Sequence, residues 1–186
     1  MKYVLTGVLC LLWSVTAAWA GSPGAGEVPE FKKLKNLIGE WRIDMELRQP
    51  DGTWKAANHP TFASLVLHKN GYIRSHHKTP GAKVNWGMEI TYSYNKYGKF
   101  YQLVTLDEIS GLIDMFRGHA DGDAIVFDNL LADTTTPNQK GESLHWRVRL
   151  SGLDEGKPRS LISVSTDAGK TWRPAMRGVY QRVETH

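Results

Sequence analysis

Trp41-Arg42-Ile43-Asp44-Met45-Glu46-Leu47-Arg48 alternates without a break, with an apolar residue at every odd position and a charged one at every even position. A period of two sends alternate side chains to opposite faces of a β-strand. The segment therefore reads as a half-buried strand whose outer face is wholly polar. A helix would scatter the same charges around its circumference and bury several of them.

The same punctuation recurs toward the C-terminus. Pro50-Asp51-Gly52 turns the chain, and residues 62–69 and 72–78 form two strands joined at Asn70-Gly71, a strong short hairpin signal. Trp86, Met88, Ile90, Tyr92 and Tyr94 mark the apolar face of the next strand. Asn95-Lys96-Tyr97-Gly98 leads back into residues 100–106, and a further strand covers 112–119. Asp121-Gly122 turns into residues 124–131, and a polar loop over 132–141 precedes Leu144, Trp146, Val148 and Leu150. A last hairpin joins residues 160–165 to 171–183 around Asp167-Ala168-Gly169-Lys170. Strands at short intervals with no crossover helices predict an antiparallel up-and-down meander. About ten strands with one apolar face each close most simply as a barrel, which removes exposed edges. The fold class is all-β, with a two-sheet sandwich as the other architecture.

On the N-terminal side, Phe31, Leu34, Leu37 and Ile38 have helical spacing between Pro29 and Gly39, so a short helix precedes the first strand. Further back, Met1-Lys2 and an apolar run over residues 3–15 precede Ala18-Trp19-Ala20, the make-up of a cleavable signal peptide. The run is too short to span a bilayer, which takes ~20 apolar residues. The expected organisation is a signal peptide at 1–20, a flexible Gly/Pro leader at 21–28 and one barrel domain at 29–186. That implies a periplasmic or secreted protein, with no membrane association after cleavage.

Cleavage removes Cys10, the one cysteine, so neither a disulfide nor a catalytic thiol belongs to the mature chain. It also leaves 22 of the 23 Lys and Arg against 19 Asp and Glu. This mild excess is spread along the chain, and Lys32-Lys33-x-Lys35 is its densest point, so nucleic acid is not an expected partner.

Gly39-Glu40-Trp41, following a short helix and opening the first strand, resembles the G-x-W start of the lipocalins and their relatives in the calycin superfamily. The resemblance implies that Trp41 closes one end of the barrel under an arginine of the last strand, Arg182 first and Arg177 second. Ser165-Thr166-Asp167-Ala168-Gly169-Lys170-Thr171-Trp172 and the closing Tyr180-Gln181-Arg182 extend the similarity to bacterial calycin-like domains of uncharacterised function. Carriers, haem proteins and a few enzymes share that fold, so it implies no one chemistry. The stretch from Ser165 to Trp172 also matches the Asp-box of propeller glycosidases, which carry several copies. One copy without a repeat is a structural hairpin: Asp167 accepts bonds from turn amides, Gly169 takes positive φ and Trp172 covers the turn.

No P-loop, Rossmann fingerprint, nucleophile elbow or HExxH is present. Chemistry must then come from polar residues that share a strand face with apolar ones. Taking Phe62-Ser64-Val66-His68, Tyr72-Arg74-His76, Phe100-Gln102-Val104-Leu106, Leu112-Asp114-Phe116 and Ile125-Phe127-Asn129-Leu131 as inward faces nominates a pocket. Its expected lining is Trp86, Met88, Tyr92, Phe100, Gln102, Phe116, Phe127, Asn129, Trp146 and Arg74, a composition suited to a small apolar or aromatic ligand. His76 and its neighbour His77 must point to opposite faces, and His76 falls on the inward one by phase. His76 or His68 with Asp114 would supply acid–base chemistry for a cofactor-free isomerase, lyase or cyclase. Either histidine could instead ligate haem iron in a tetrapyrrole carrier. The leading expectation is ligand binding without a cofactor or metal.

Overall fold

The computed structural model describes residues 28–184 apart from residues 70, 83–85 and 133, so the expected signal peptide lies outside the described residues. Among the described residues, one short helix, α1 (Pro29–Lys35), precedes twelve strands. These are β1 (Gly39–Arg48), β2 (Trp54–Ala56), β3 (Thr61–His68), β4 (Tyr72–Thr79), β5 (Trp86–Asn95) and β6 (Phe100–Asp107) in the first half. The second half holds β7 (Ile113–Asp121), β8 (Ala124–Asp128), β9 (Thr136–Pro137), β10 (Ser143–Ser151), β11 (Arg159–Ser165) and β12 (Arg173–Arg182).

Ten of them form a closed antiparallel barrel in chain order, because β12 returns to pair with β1. The other two are short additions: β2 extends β1, and β9 pairs with the start of β10 inside the loop that the sequence leaves polar. The turns obey their residues. Gly71 donates its amide to the His68 carbonyl at 2.9 Å, and the Asn95 side chain accepts the amides of Tyr97 and Gly98 at 3.1 and 2.8 Å.

The helix closes one end of the barrel. Phe31, Leu34 and Leu37 are buried against the interior, and the Tyr101 hydroxyl donates to the Glu30 carbonyl at 2.8 Å. Beside them Trp41 is buried, its indole N–H donating to the Leu37 carbonyl at 2.7 Å. The Arg182 guanidinium covers its ring at 4.4 Å from the centroid, while Arg177 pairs with Glu46 on the outer face. The outer face of β1 is laced to its neighbours by such pairs, Gln181 to Asp44 at 2.8 Å among them. These exposed contacts each contribute little, so burial of the inner face must hold the barrel together.

From β1 to β6 the ladders carry the facing from strand to strand, since residues opposite each other in a ladder point to the same side. Inward-facing Trp41 pairs with Ala63, Ala63 with His77, His77 with Met88, and Met88 with Asp107. This register corrects three strand phases. In β3 the inward set is Thr61, Ala63 and Leu65, while Phe62 and Val66 are 42% and 51% exposed. In β4 it is Ile73, Ser75 and His77, and in β6 it is Tyr101, Leu103 and Thr105. The phases expected for β1, β5, β7 and β10 match the structure.

Candidate functional site

The barrel is not filled. A cavity of about 380 Å³ occupies its interior between the helix-closed end and the opposite rim. Its wall is mostly apolar, with Ile43, Met88, Ile90, Leu103, Phe116 and Trp146 among the lining side chains. It opens toward solvent at the rim, where Leu112 lines it while remaining half exposed. The far end is sealed by edge-on aromatic packing. Phe127 contacts Tyr92 and Tyr101, each at 6.3 Å between centroids, and Tyr180 meets Trp41 at 6.0 Å.

A few polar groups break the apolar wall. His77 is 5% exposed, and its Nε2 lies 2.9 Å from the Ser75 hydroxyl. Burial, and after it the electrostatic influence of neighbouring His76, brings its pKa down to about 4, so the ring is neutral near pH 7. Asp114 holds a second polar point between β7 and the loop after β8. Thr134 donates its hydroxyl to one carboxylate oxygen, and Asn129 donates its amide to the other at 2.8 Å. Burial raises the Asp114 pKa, while these hydrogen bonds and His145 pull against the rise. Asn129 is itself fully buried and accepts the Trp146 amide at 2.8 Å, so one side chain ties the carboxylate to β10. Asp107 ends β6 at the rim. Its Oδ1 accepts the Ile109 amide at 2.8 Å, and amide bonds of this kind hold its pKa below the usual value.

Of the residues nominated from sequence, Met88, Tyr92, Asp114, Phe116 and Trp146 line the cavity. Asn129 and Phe127 are buried behind the lining, the first holding Asp114 and the second sealing the floor. Trp86 begins β5 opposite Thr79, and its side chain lies outside the described residues. Four others face outward, following the corrected phases. His76 contacts Glu108 at 2.7 Å, Arg74 grips both oxygens of Glu89, Gln102 accepts from Ser93 at 3.3 Å, and Phe100 lies under Arg117 at 4.1 Å. His68 stacks on Tyr72 at the β3–β4 hairpin, 5.0 Å between centroids. Neither His76 nor His68 therefore shares the cavity with Asp114; the histidine that does is His77.

The sequence reading missed His77, Asp107, Thr105 and Tyr180 as lining residues. The outer faces of β3 and β6 are also apolar, so apolarity alone chose the wrong side. A usable signal existed in the turns. Tyr94 faces inward, and the turn from Asn95 to Gly98 places Tyr101 opposite it, which sets Leu103, Thr105 and Asp107 on the inner face.

The closing hairpin is organised around the Asp167 carboxylate. Asp167 accepts the Thr171 amide at 2.9 Å, the Thr171 hydroxyl at 2.6 Å and the Ser165 hydroxyl at 2.7 Å. Gly169 has φ +82°, and Trp172 is covered by Arg147 at 4.0 Å. None of them lines the cavity.

A family model described as "Protein of unknown function (DUF1579)" matches residues 27–182. No curated protein matches the chain. Among solved structures, the crystal structure of Rv2717c from M. tuberculosis superposes with a TM-score of 0.53 at 14% identity, covering 84% of this chain and 99% of that one. At that identity the likeness concerns the fold alone.

Proposed function

We propose that this chain, which belongs to the DUF1579 family, is an exported binding protein that holds a small apolar or aromatic ligand inside its barrel. The observation that carries this reading is the cavity: about 380 Å³ of interior space, walled mostly by apolar side chains and open at one rim. Ligand pockets have this make-up, a few convergent polar groups in a predominantly apolar wall. Met45, Met88 and Met176 add flexible lining that adapts to an occupant's shape. The helix-closed floor and Arg182 lying over Trp41 favour placing the barrel among the calycins, whose members include carriers. Export rests on the sequence of residues 1–20.

Native mass spectrometry of the protein purified from its own host tests the reading. The expected result is a mass excess from one small organic molecule, lost in an Ile90→Trp variant that fills the cavity. An unliganded mass, together with no binding of an apolar fluorophore, would overturn it.

A further inference from the structure

The side chains in the cavity wall have an unbalanced charge character. Among the described residues, the acidic groups Asp107 and Asp114 line it, and no lysine or arginine does. His77 supplies no positive charge near neutral pH, because burial keeps the ring unprotonated. Both Asp114 oxygens already accept hydrogen bonds from Thr134 and Asn129. Asp107 differs. Its hydrogen bonds, from the Ile109 and Ser110 amides to Oδ1 and from the Ser110 side chain, all come from the turn that follows it.

A second observation points to a polar occupant independently of the carboxylates. Tyr92 is 3% exposed, lines the cavity, and its hydroxyl has no hydrogen-bond partner among the described residues. The hydroxyl is not one of the fully enclosed atoms left without a partner, so it meets open space along the cavity that Tyr92 lines, where an occupant can bond it. Aromatic faces complete the pattern. Tyr92, Phe116 and Trp146 are among the lining residues, and aromatic rings attract a cation placed over their faces.

We infer that the cavity selects apolar or aromatic amines, with the ammonium group at Asp107 and the apolar body among Ile90, Leu103 and Phe116. This rests on the ligand-binding reading above and names the ligand class for the same site. An anionic amphiphile such as a fatty acid would place its carboxylate beside Asp107 and Asp114 with no counter-charge in the wall. An ammonium in that position makes a charge-assisted hydrogen bond to Asp107 in a partly desolvated setting, where such bonds are strong.

Isothermal titration calorimetry of the full chain at pH 7 with 4-phenylbutylamine, 4-phenylbutan-1-ol and 4-phenylbutyrate tests the inference. The three share one apolar body and differ in the charge of the head. The amine is expected to bind at least about tenfold more tightly than the carboxylate, the ratio one charge-assisted bond supplies. Asp107→Asn should bring the amine to the affinity that the alcohol shows for the same variant. The asparagine retains the oxygen that accepts the Ile109 and Ser110 amides, so the turn is kept. Carboxylate binding as tight as amine binding, or an amine preference that survives Asp107→Asn, overturns the inference while leaving ligand binding intact. The wild-type series decides the first point without any variant. No binding by any of the three, with an unliganded mass from the host, overturns both.

Discussion

The Arg182 guanidinium lies 4.4 Å from the centre of the Trp41 indole and reaches the Ile38 carbonyl at 3.3 Å, joining the last strand, the first strand and the turn after the helix. Gly39 makes this stack possible. Its φ is +133°, and a Cβ placed there would sit 2.5 Å from the Arg182 Nη1. The glycine and the tryptophan of the G-x-W opening thus serve one contact.

Arg182→Ala should cost about 1 kcal/mol, the value of a partly exposed cation–π pair. Gly39→Ala should cost more, since it combines backbone strain with displacement of the guanidinium. Thermal denaturation checks both, with a Tm fall of about 2–4 °C expected for each kcal/mol in a domain of this size. An Arg182→Ala protein melting with the wild type would show that the stack contributes nothing.

The pH dependence of stability should carry the signature of His77. Its pKa is 6.5 in an unfolded chain and about 4 in the fold, so the unfolded state binds more protons between those values. Stability is therefore fully present above about pH 6.5 and lost as pH falls toward 4, by up to about 3 kcal/mol. Asp114 contributes with the opposite sign at low pH, because its raised pKa favours the folded state when the carboxyl is protonated. Comparing wild type with His77→Gln isolates the histidine. The variant should show a flatter denaturation profile between pH 7 and 4, and parallel profiles would refute the assignment.

Asn129→Ala should destabilise the barrel by about 2–4 kcal/mol. It removes the amide from Asp114 and leaves the Trp146 N–H without its acceptor in a fully buried position. Urea denaturation measures the loss. The same variant should weaken binding of an apolar fluorophore, because Trp146 and Asp114 both line the cavity.

Asp167→Ala should lower Tm and leave ligand binding unchanged. The carboxylate organises the β11–β12 turn through Thr171 and Ser165, and it lies outside the cavity lining. A variant that lost ligand affinity with its Tm intact would return the Asp-box to consideration as a binding element.

The alternation of residues 41–48, the hairpin turns near Gly71 and Gly122, and the helical spacing of Phe31, Leu34 and Leu37 determined the meander, its approximate strand number and its helical plug. These are local signals, carried by neighbours in sequence and by backbone preferences that no distant contact reverses. The short pairings β2 and β9 escaped, because two or three residues carry too little periodicity to register. The tertiary structure alone decided which face of β3, β4 and β6 turns inward. Phe62, Val66 and Phe100 make the outer face as apolar as the inner one, while the interior accepts Ser75, His77 and Asp107. Apolarity could not discriminate there; only ladder register, running from Trp41 through Ala63, His77 and Met88 to Asp107, fixes the sides. That register exchanged His76 for His77 and brought Asp107 to the cavity, because one residue along a strand reverses the direction of its side chain.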